Sequence, residues 1–455
     1  MKSWTIAVML TASCFGAEDR EAPPPMGTAK PFVLPQSNTF ALKNGMKVTL
    51  AQYGSVPVTA VSARVAFGHA NEGADQVWLS TIVAEMMKEG TATLTAEQVA
   101  NEAARMGGQL DVTAGTDESS VAIEVLSEFT ADAVKLVADV LEHPKLPESE
   151  LERVRANNLR QLAVQLSTPQ AQANRAFAAA LYPDHPYGRL FPTESQLKSY
   201  TLQDVRKFYA DNTGAQRTHL YVVGRFDPTV RKTIEAAFEA WEPGPAVKRT
   251  PPNPVAKKSL LLLDRPGAVQ STLRLGLPIQ ISPANPDYIP LEVTNSLLGG
   301  AFTSRITNNI REQKGYTYSP FSQVLTRYRT AAWQESADVT TKVTADAVRE
   351  IQLEINRLRK EPPDAKELKG IQNFMDGIFV LRNSSNQGII GQLGFVDLHG
   401  LTDDYLKTYV QRVNAVSRED VQRITETYLD PGKMTLVVVG DKAKIEDSLK
   451  AFSGK

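Results

Sequence analysis

The chain has 455 residues, 42% of them hydrophobic and 22% charged, with a formal net charge of -1. That is a globular composition with length for two or more domains, and neither its charge balance nor any Lys/Arg cluster with interleaved aromatics offers anything to nucleic acid. The single cysteine, Cys14, excludes an intramolecular disulfide and a Cys-ligated metal site.

In chain order, Lys2 precedes an apolar run from Trp4 to Leu10 and the small residues Thr11, Ala12 and Ser13. This reads as an export signal over 1–17, too short to span a bilayer stably, and predicts an exported or periplasmic protein. Cys14 admits two readings. It is an incidental cysteine in a discarded signal, or the lipid-attachment cysteine of a bacterial lipoprotein cleaved after Ser13; Thr11 stands where such signals usually carry Leu. Residues 18–35, rich in Pro, Gly and Ala, read as a flexible tether.

From there the chain repeats itself. Thr130-Ala-Asp-Ala-Val134 recurs as Thr344-Ala-Asp-Ala-Val348, Asp204-Val205 as Asp420-Val421, and Leu220-Tyr-Val-Val-Gly224 as Leu436-Val-Val-Val-Gly440. Near-constant spacing marks a duplication. Trp241 to Pro254 holds five prolines, which block helix and ladder pairing. The halves are therefore expected at 36–243 and 256–455, joined by a linker over 244–255.

Within each half, Lys47–Gln52, Val58–Val65 and Val121–Leu126 have strand character. Thr95 with Gln98, Thr130 before Asp132, Thr201 with Asp204, and Thr344 before Asp346 predict helix starts in which the hydroxyl caps free amides. Ala347, Ile351, Ile355 and Leu358 keep helical spacing. Strands cluster rather than alternate with helices. This predicts an α+β fold of two similar halves, each a mainly antiparallel sheet with helices on one face.

The most specific segment is Ser296-Leu-Leu-Gly-Gly-Ala-Phe-Thr-Ser-Arg-Ile306, followed by Ile310-Arg-Glu-Gln-Lys-Gly-Tyr-Thr-Tyr318. With His185-Pro-Tyr-Gly-Arg189 and Glu89-Gly-Thr91 it resembles the M16 (insulinase/pitrilysin-like) peptidase family, from about residue 38 to the C-terminus. The resemblance implies a clamshell of two α+β halves around unfolded peptide. It also implies zinc on an inverted His-x-x-Glu-His helix, with a downstream Glu as third ligand. Such spacing puts both imidazoles on one helix face beside the base that activates water.

That motif is absent here. Anchored on Glu89-Gly-Thr91, Thr81 replaces the first His, Ala84 the base and Glu85 the second His; the third-ligand position falls on Gln161. The five histidines, His69, His143, His185, His219 and His399, include no pair within one helical turn, and each is expected on a loop or at the surface. There is no Gly-x-Ser-x-Gly elbow and no phosphate loop; Gly299-Gly300 reads as a tight turn before a helix. The family's substrate-binding Arg and Tyr, by contrast, fall on Arg311 and Tyr318. A guanidinium fork suits a peptide carbonyl, and a phenol suits a developing oxyanion.

The resemblance thus implies a non-catalytic, peptide-binding subunit that holds no zinc of its own and has no catalytic residue. It would complete the site of a homologous partner with an intact motif and its own zinc, holding peptide as an added strand. A scaffold or binding protein without a peptidase partner is the alternative. An active metallopeptidase built on remote ligands is the third reading.

Overall fold

The computed structural model describes residues 33–454; the export signal, Cys14 and the tether before residue 33 lie outside them. The first half contributes β1 (Ser37–Ala41), β2 (Lys47–Gln52), β3 (Val58–Val65), α1 (Leu79–Met87), α2 (Ala96–Arg105), β4 (Asp111–Ala114) and β5 (Ser119–Leu126). It continues with α3 (Thr130–Glu142), α4 (Glu148–Ser167), α5 (Pro169–Leu181), α6 (Glu194–Ser199), α7 (Leu202–Asn212), β6 (Thr218–Gly224) and α8 (Val230–Phe238). The second half supplies β7 (Ser259–Asp264), β8 (Gln270–Ile279), α9 (Tyr288–Asn295), β9 (Phe321–Arg327), β10 (Thr330–Thr340), α10 (Thr344–Lys360), α11 (Ala365–Arg382), α12 (Asn386–Leu398) and, further on, β11 (Thr435–Gly440).

The sheets run β1-β2-β6-β3-β5-β4 and β7-β11-β8-β10-β9. Apart from β1 they share one topology, each with a single parallel pair, β2–β6 and β7–β11, and antiparallel neighbours elsewhere. The duplication reaches individual hydrogen bonds. Thr201 and Ser417 each form a capping box with the aspartate three residues on. Thr130 and Thr344 repeat as well, but not as caps: each is the first helical residue, and its hydroxyl donates to the carbonyl of Ser127 (2.8 Å) or Thr341 (2.7 Å). A short 3-10 turn precedes both helices and offers that carbonyl to the hydroxyl before any amide is free. Thr95 with Gln98 and Thr201 with Asp204 do cap.

On one face the first sheet packs Val61, Ala63, Val121, Ile123, Leu220 and Val222 against its own helices. The other face receives a helix of the second half. Asn386 of α12 lies against Gly224, Gly394 against the Arg64 guanidinium, and Asp397 reaches His219 (3.2 Å) and Lys47 (3.0 Å). The second sheet is completed reciprocally. Ala173, Phe177 and Leu181 of α5 pack with Ala332, Val437 and Val439, and Arg274 Nε donates to Asn174 Oδ1 at 2.7 Å. Hence β6 and β11 are buried along their whole length.

Residues 241–258 carry neither helix nor strand. The segment is held along the junction. Arg217 donates to the carbonyl of Ala246 (2.9 Å), His185 Nε2 lies 3.1 Å from that of Thr250, and the Val255 amide donates to Leu181 (2.8 Å). Among the described residues no helix is long and apolar enough to cross a membrane.

Candidate functional site

Thr81, Ala84 and Glu85 all lie on α1. Thr81 and Glu85 are half-buried four residues apart on one face, while Ala84 is buried. The Glu85 carboxylate accepts from Asn158 Nδ2 on α4 at 2.8 Å. Burial raises its pKa, and the Asn158 bond offsets this in part. Gln161 sits three residues further along α4, exposed, so the α4 partner of Glu85 is Asn158. A hydroxyl, a methyl and a carboxylate already bonded to an amide do not fit a zinc ion, which needs three convergent donors. No group of three His, Cys, Asp or Glu side chains placed to hold a metal occurs among the described residues.

Glu72 sets the entry to α1, and sequence reasoning passes over it. Its carboxylate accepts from Trp78 N (3.0 Å), Ser80 N (2.9 Å) and Ser80 Oγ (2.5 Å). Trp78 is left-handed at φ 68, a strain these bonds and Trp78 Nε1 to Leu190 O help sustain. His69 Nδ1 lies 3.2 Å from Glu72 and 3.1 Å from Ser80 Oγ. The trio superficially matches a nucleophile, base and acid. A working relay uses both imidazole nitrogens, whereas here both contacts fall on Nδ1 and Ser80 is 0% exposed. The cluster caps a helix. The acid in Asn71-Glu72, ahead of the apolar run, was the available signal.

The other histidines are structural. His143 is a surface group beside Asp139. His219 corrects the expectation of a loop or surface residue: it is buried in β6, with Thr49 Oγ1 2.7 Å from Nε2 and the Tyr221 hydroxyl 3.0 Å from Nδ1. Against the cost of burial, His219 and Lys47 hold Asp397 down to about 2. His185 is buried too. Its neighbour Tyr187 donates to Asp117 (2.5 Å) and accepts from the Tyr328 amide (3.2 Å), so this motif binds the halves together. Burial presses the pKa of half-buried His399 down to about 4.

Arg311 and Tyr318 are brought together. The helical turn Thr307–Gln313 carries Arg311, whose guanidinium carbon lies 5.0 Å from the Tyr318 ring centroid and 4.5 Å from that of Phe302. Among the described residues its one ion-pair contact is Nε to Glu312 at 3.4 Å. Beside it opens a hollow of about 390 Å³, lined by Phe302, Thr307, Tyr318, Pro320 and Phe321.

Gly299 and Gly300 make this approach possible, but not as the expected tight turn. Ser296–Gly300 prolongs α9 as a widened helical turn against β9 and β10. A Cβ on Gly299 would stand 2.5 Å from Ser322 Oγ and 2.8 Å from Glu335 Oε2; one on Gly300 would stand 2.7 Å from Asn295 Nδ2.

Glu335 is fully buried there, its carboxylate facing the backbone of Phe321 and Ser336 without a well-formed hydrogen bond to either oxygen. Burial raises its pKa well above the usual range. The folded state then binds the proton more tightly than the unfolded chain, so stability falls as pH rises past the ordinary glutamate value. Glu335→Gln should gain on the wild type progressively above pH ~4.5. Denaturant midpoints at pH 4.5 and 8 check this; a pH-independent difference is incompatible with it.

From Phe321 the edge strand β9 runs on, open along one side. Ser322, Val324 and Thr326 line a cavity of about 750 Å³ whose far wall includes Glu292, Phe374 and Tyr409. Leu325 and Arg327 line one of about 180 Å³ against α5. Burial pushes Glu292 up to about 7.

Comparison with known proteins matches both halves to one family. "Insulinase (Peptidase family M16)" matches residues 47–191 and "Peptidase M16 inactive domain" residues 199–375, together well over half the chain. An "Uncharacterized zinc protease YmxG" of Bacillus subtilis is 24% identical, over 86% of this chain and 96% of its own. A "Non-peptidase homolog YmxG" of Helicobacter pylori is 21% identical over 81% and 86%. In fold, a peptidase M16 inactive domain from Pseudomonas fluorescens covers 89% of this chain and 98% of its own at TM-score 0.81 and 23% identity. A protease from Helicobacter pylori covers 90% and 100% at 0.84 and 18%. The chain belongs to the M16 insulinase family of peptidases.

Proposed function

We propose that this protein is the non-catalytic, peptide-holding subunit of an exported, periplasmic M16 zinc peptidase, acting beside a homologous chain that carries the intact motif and the zinc. One contrast carries the reading. The former metal helix has spent its remaining acid on Asn158, while the Arg311/Tyr318 pair stands assembled at the edge of a sheet. β9 begins three residues after Tyr318 and turns alternate side chains toward two cavities. This suits a peptide added as a strand, held by backbone bonds with loose sequence demands. Lipidation of Cys14 would tether the complex to a membrane.

Purified alone, the chain should carry no stoichiometric zinc and cleave no unfolded peptide; mixed with its zinc-bearing homologue it should raise cleavage. One tightly held zinc per isolated chain, with chelator-sensitive cleavage, would refute this. A relative's description as a non-peptidase homolog favours a second reading, a scaffold with no peptidase partner. Recovery of the protein from its own cells without any chain bearing His-x-x-Glu-His would favour it.

A further inference from the structure

The two sheets differ at one end. In the first, β1 folds back through the turn at Leu42–Met46 and pairs along the whole of β2, so Val48, Thr49 and Ala51 are buried. β7 holds the place of β2 in the second sheet, paired in parallel with β11 as β2 is with β6, and no described strand covers its other side. The reason lies in the residues that precede it. Where a counterpart of β1 would have to come from, the chain supplies Pro251, Pro252 and Pro254, which cannot donate to a ladder, and Val255, whose amide is already given to Leu181. Leu260, Leu261, Leu262 and Leu263 are left half-buried, every one.

The ladder fixes which groups are free. Ser259 N donates to Met434 O and Arg265 N to Gly440 O, so the odd-numbered residues face β11, while Leu260, Leu262 and Asp264 turn their amides and carbonyls outward. Gly454 closes over the Lys258 carbonyl at one end, and the edge is open from there on. An apolar edge recruits another strand unless proline, charge or a bulge blunts it. Between Leu260 and Leu263 there is neither proline nor charge, and the register with β11 is unbroken.

We propose that this edge is a homodimer interface: the β7 strands of two copies pair antiparallel about a two-fold axis and join their second sheets into one. Charge selects the occupant and its direction. Lys257 and Lys258 precede the leucines and Asp264 follows them. An antiparallel copy sets Lys258 of each chain beside Asp264 of the other, whereas a parallel copy sets like charge against like. The outward groups select the register. Leu260 of each copy exchanges both backbone bonds with Leu262 of the other, and Leu261 meets Leu261. The chain's own segment 18–35, rich in proline and glycine, is poorly suited to that place. β9 and the peptide lie at the opposite end of the sheet, so the proposal stands apart from the peptide-holding reading. A single strand pair buries less than the about 1,200 Å² of a standard interface, which puts the dissociation constant at roughly micromolar.

Sedimentation equilibrium of the full chain should show a monomer–dimer equilibrium. Leu262→Pro removes an outward amide and no bond to β11, and should weaken the dimer more than about tenfold, with thermal unfolding reporting any cost to the fold. Lys258→Glu should weaken it about fivefold, and adding Asp264→Lys should restore it, a rescue that damage to the fold cannot give. Leu261→Cys in a Cys14→Ser background tests the register. Opposed Cα atoms of a non-hydrogen-bonded antiparallel pair stand about 4.5 Å apart, within reach of a disulfide, so mild oxidation should crosslink this variant and not Leu263→Cys. A chain that stays monomeric with Leu261→Cys uncrosslinked overturns the proposal. Slow hydrogen exchange of the Leu260 and Leu262 amides in that monomer would give the edge to the chain's own N-terminal segment. Protection arising only when the zinc-bearing homologue is added would give it to that chain, and either result sinks the homodimer.

Discussion

Arg311→Ala should lower peptide cleavage by the proposed two-chain enzyme by roughly 10- to 100-fold, with the thermal stability of this chain unchanged. A charge-assisted hydrogen bond is worth about 1.5–3 kcal/mol, and each 1.4 kcal/mol is a decade in rate. Stability is spared because Arg311 makes only a long contact to its neighbour Glu312 and two contacts with exposed rings. Arg311→Lys should recover little. An ammonium keeps the charge but neither lies flat between Phe302 and Tyr318 nor offers a planar fork. Tyr318→Phe separates the roles of that ring, since it keeps the stack and removes the hydroxyl; a loss confined to kcat would assign the hydroxyl to the transition state. Activity of Arg311→Ala within twofold of wild type would mean that the pair takes no part in holding substrate.

That α1 carries Thr81, Ala84 and Glu85 rather than imidazoles was legible in the sequence, and the family resemblance singled out Arg311 and Tyr318, which the structure brings together. What the α1 residues do instead was not legible. Glu85 finds Asn158 through the packing of α1 on α4, and no spacing along the chain encodes that meeting. The same limit separates the two caps that form from the two that do not. Thr95 and Thr130 look alike as letters, yet the 3-10 turn before Thr130 offers its hydroxyl a carbonyl. Strand positions were recovered closely, since Lys47–Gln52 and Val58–Val65 coincide with β2 and β3. Phe302 escaped notice because a phenylalanine in an apolar signature reads as core, and only its exposure and its place over Arg311 say otherwise.

The apolar runs Leu220-Tyr-Val-Val and Leu436-Val-Val-Val announce strands covered on both faces, but they cannot say which helix covers the second face. The structure answers with an exchange: α12 crosses to the first sheet and α5 to the second. Each half alone would therefore leave one sheet face bare. It follows that the halves should unfold as one unit, and that a truncation at their junction residues should be costly. Phe177→Ala is the sharpest case. The ring is buried among Ala332, Val437 and Val439, and it lies 3.0 Å from where a Cβ on Gly276 would stand, so the second sheet has shaped itself around it. Loss of such a ring costs about 3–5 kcal/mol, most of it for contacts and the cavity left behind. Tryptophan fluorescence can report both sides, with Trp78 and Trp241 in the first half and Trp333 buried in the second. In denaturant titrations of variants retaining only one set, both probes should share a midpoint, and Phe177→Ala should move the two together. If the substitution, made in a first-half helix, shifted the Trp78/Trp241 midpoint and left that of Trp333 in place, the halves would be separately stable and the exchanged helices mere decoration on them.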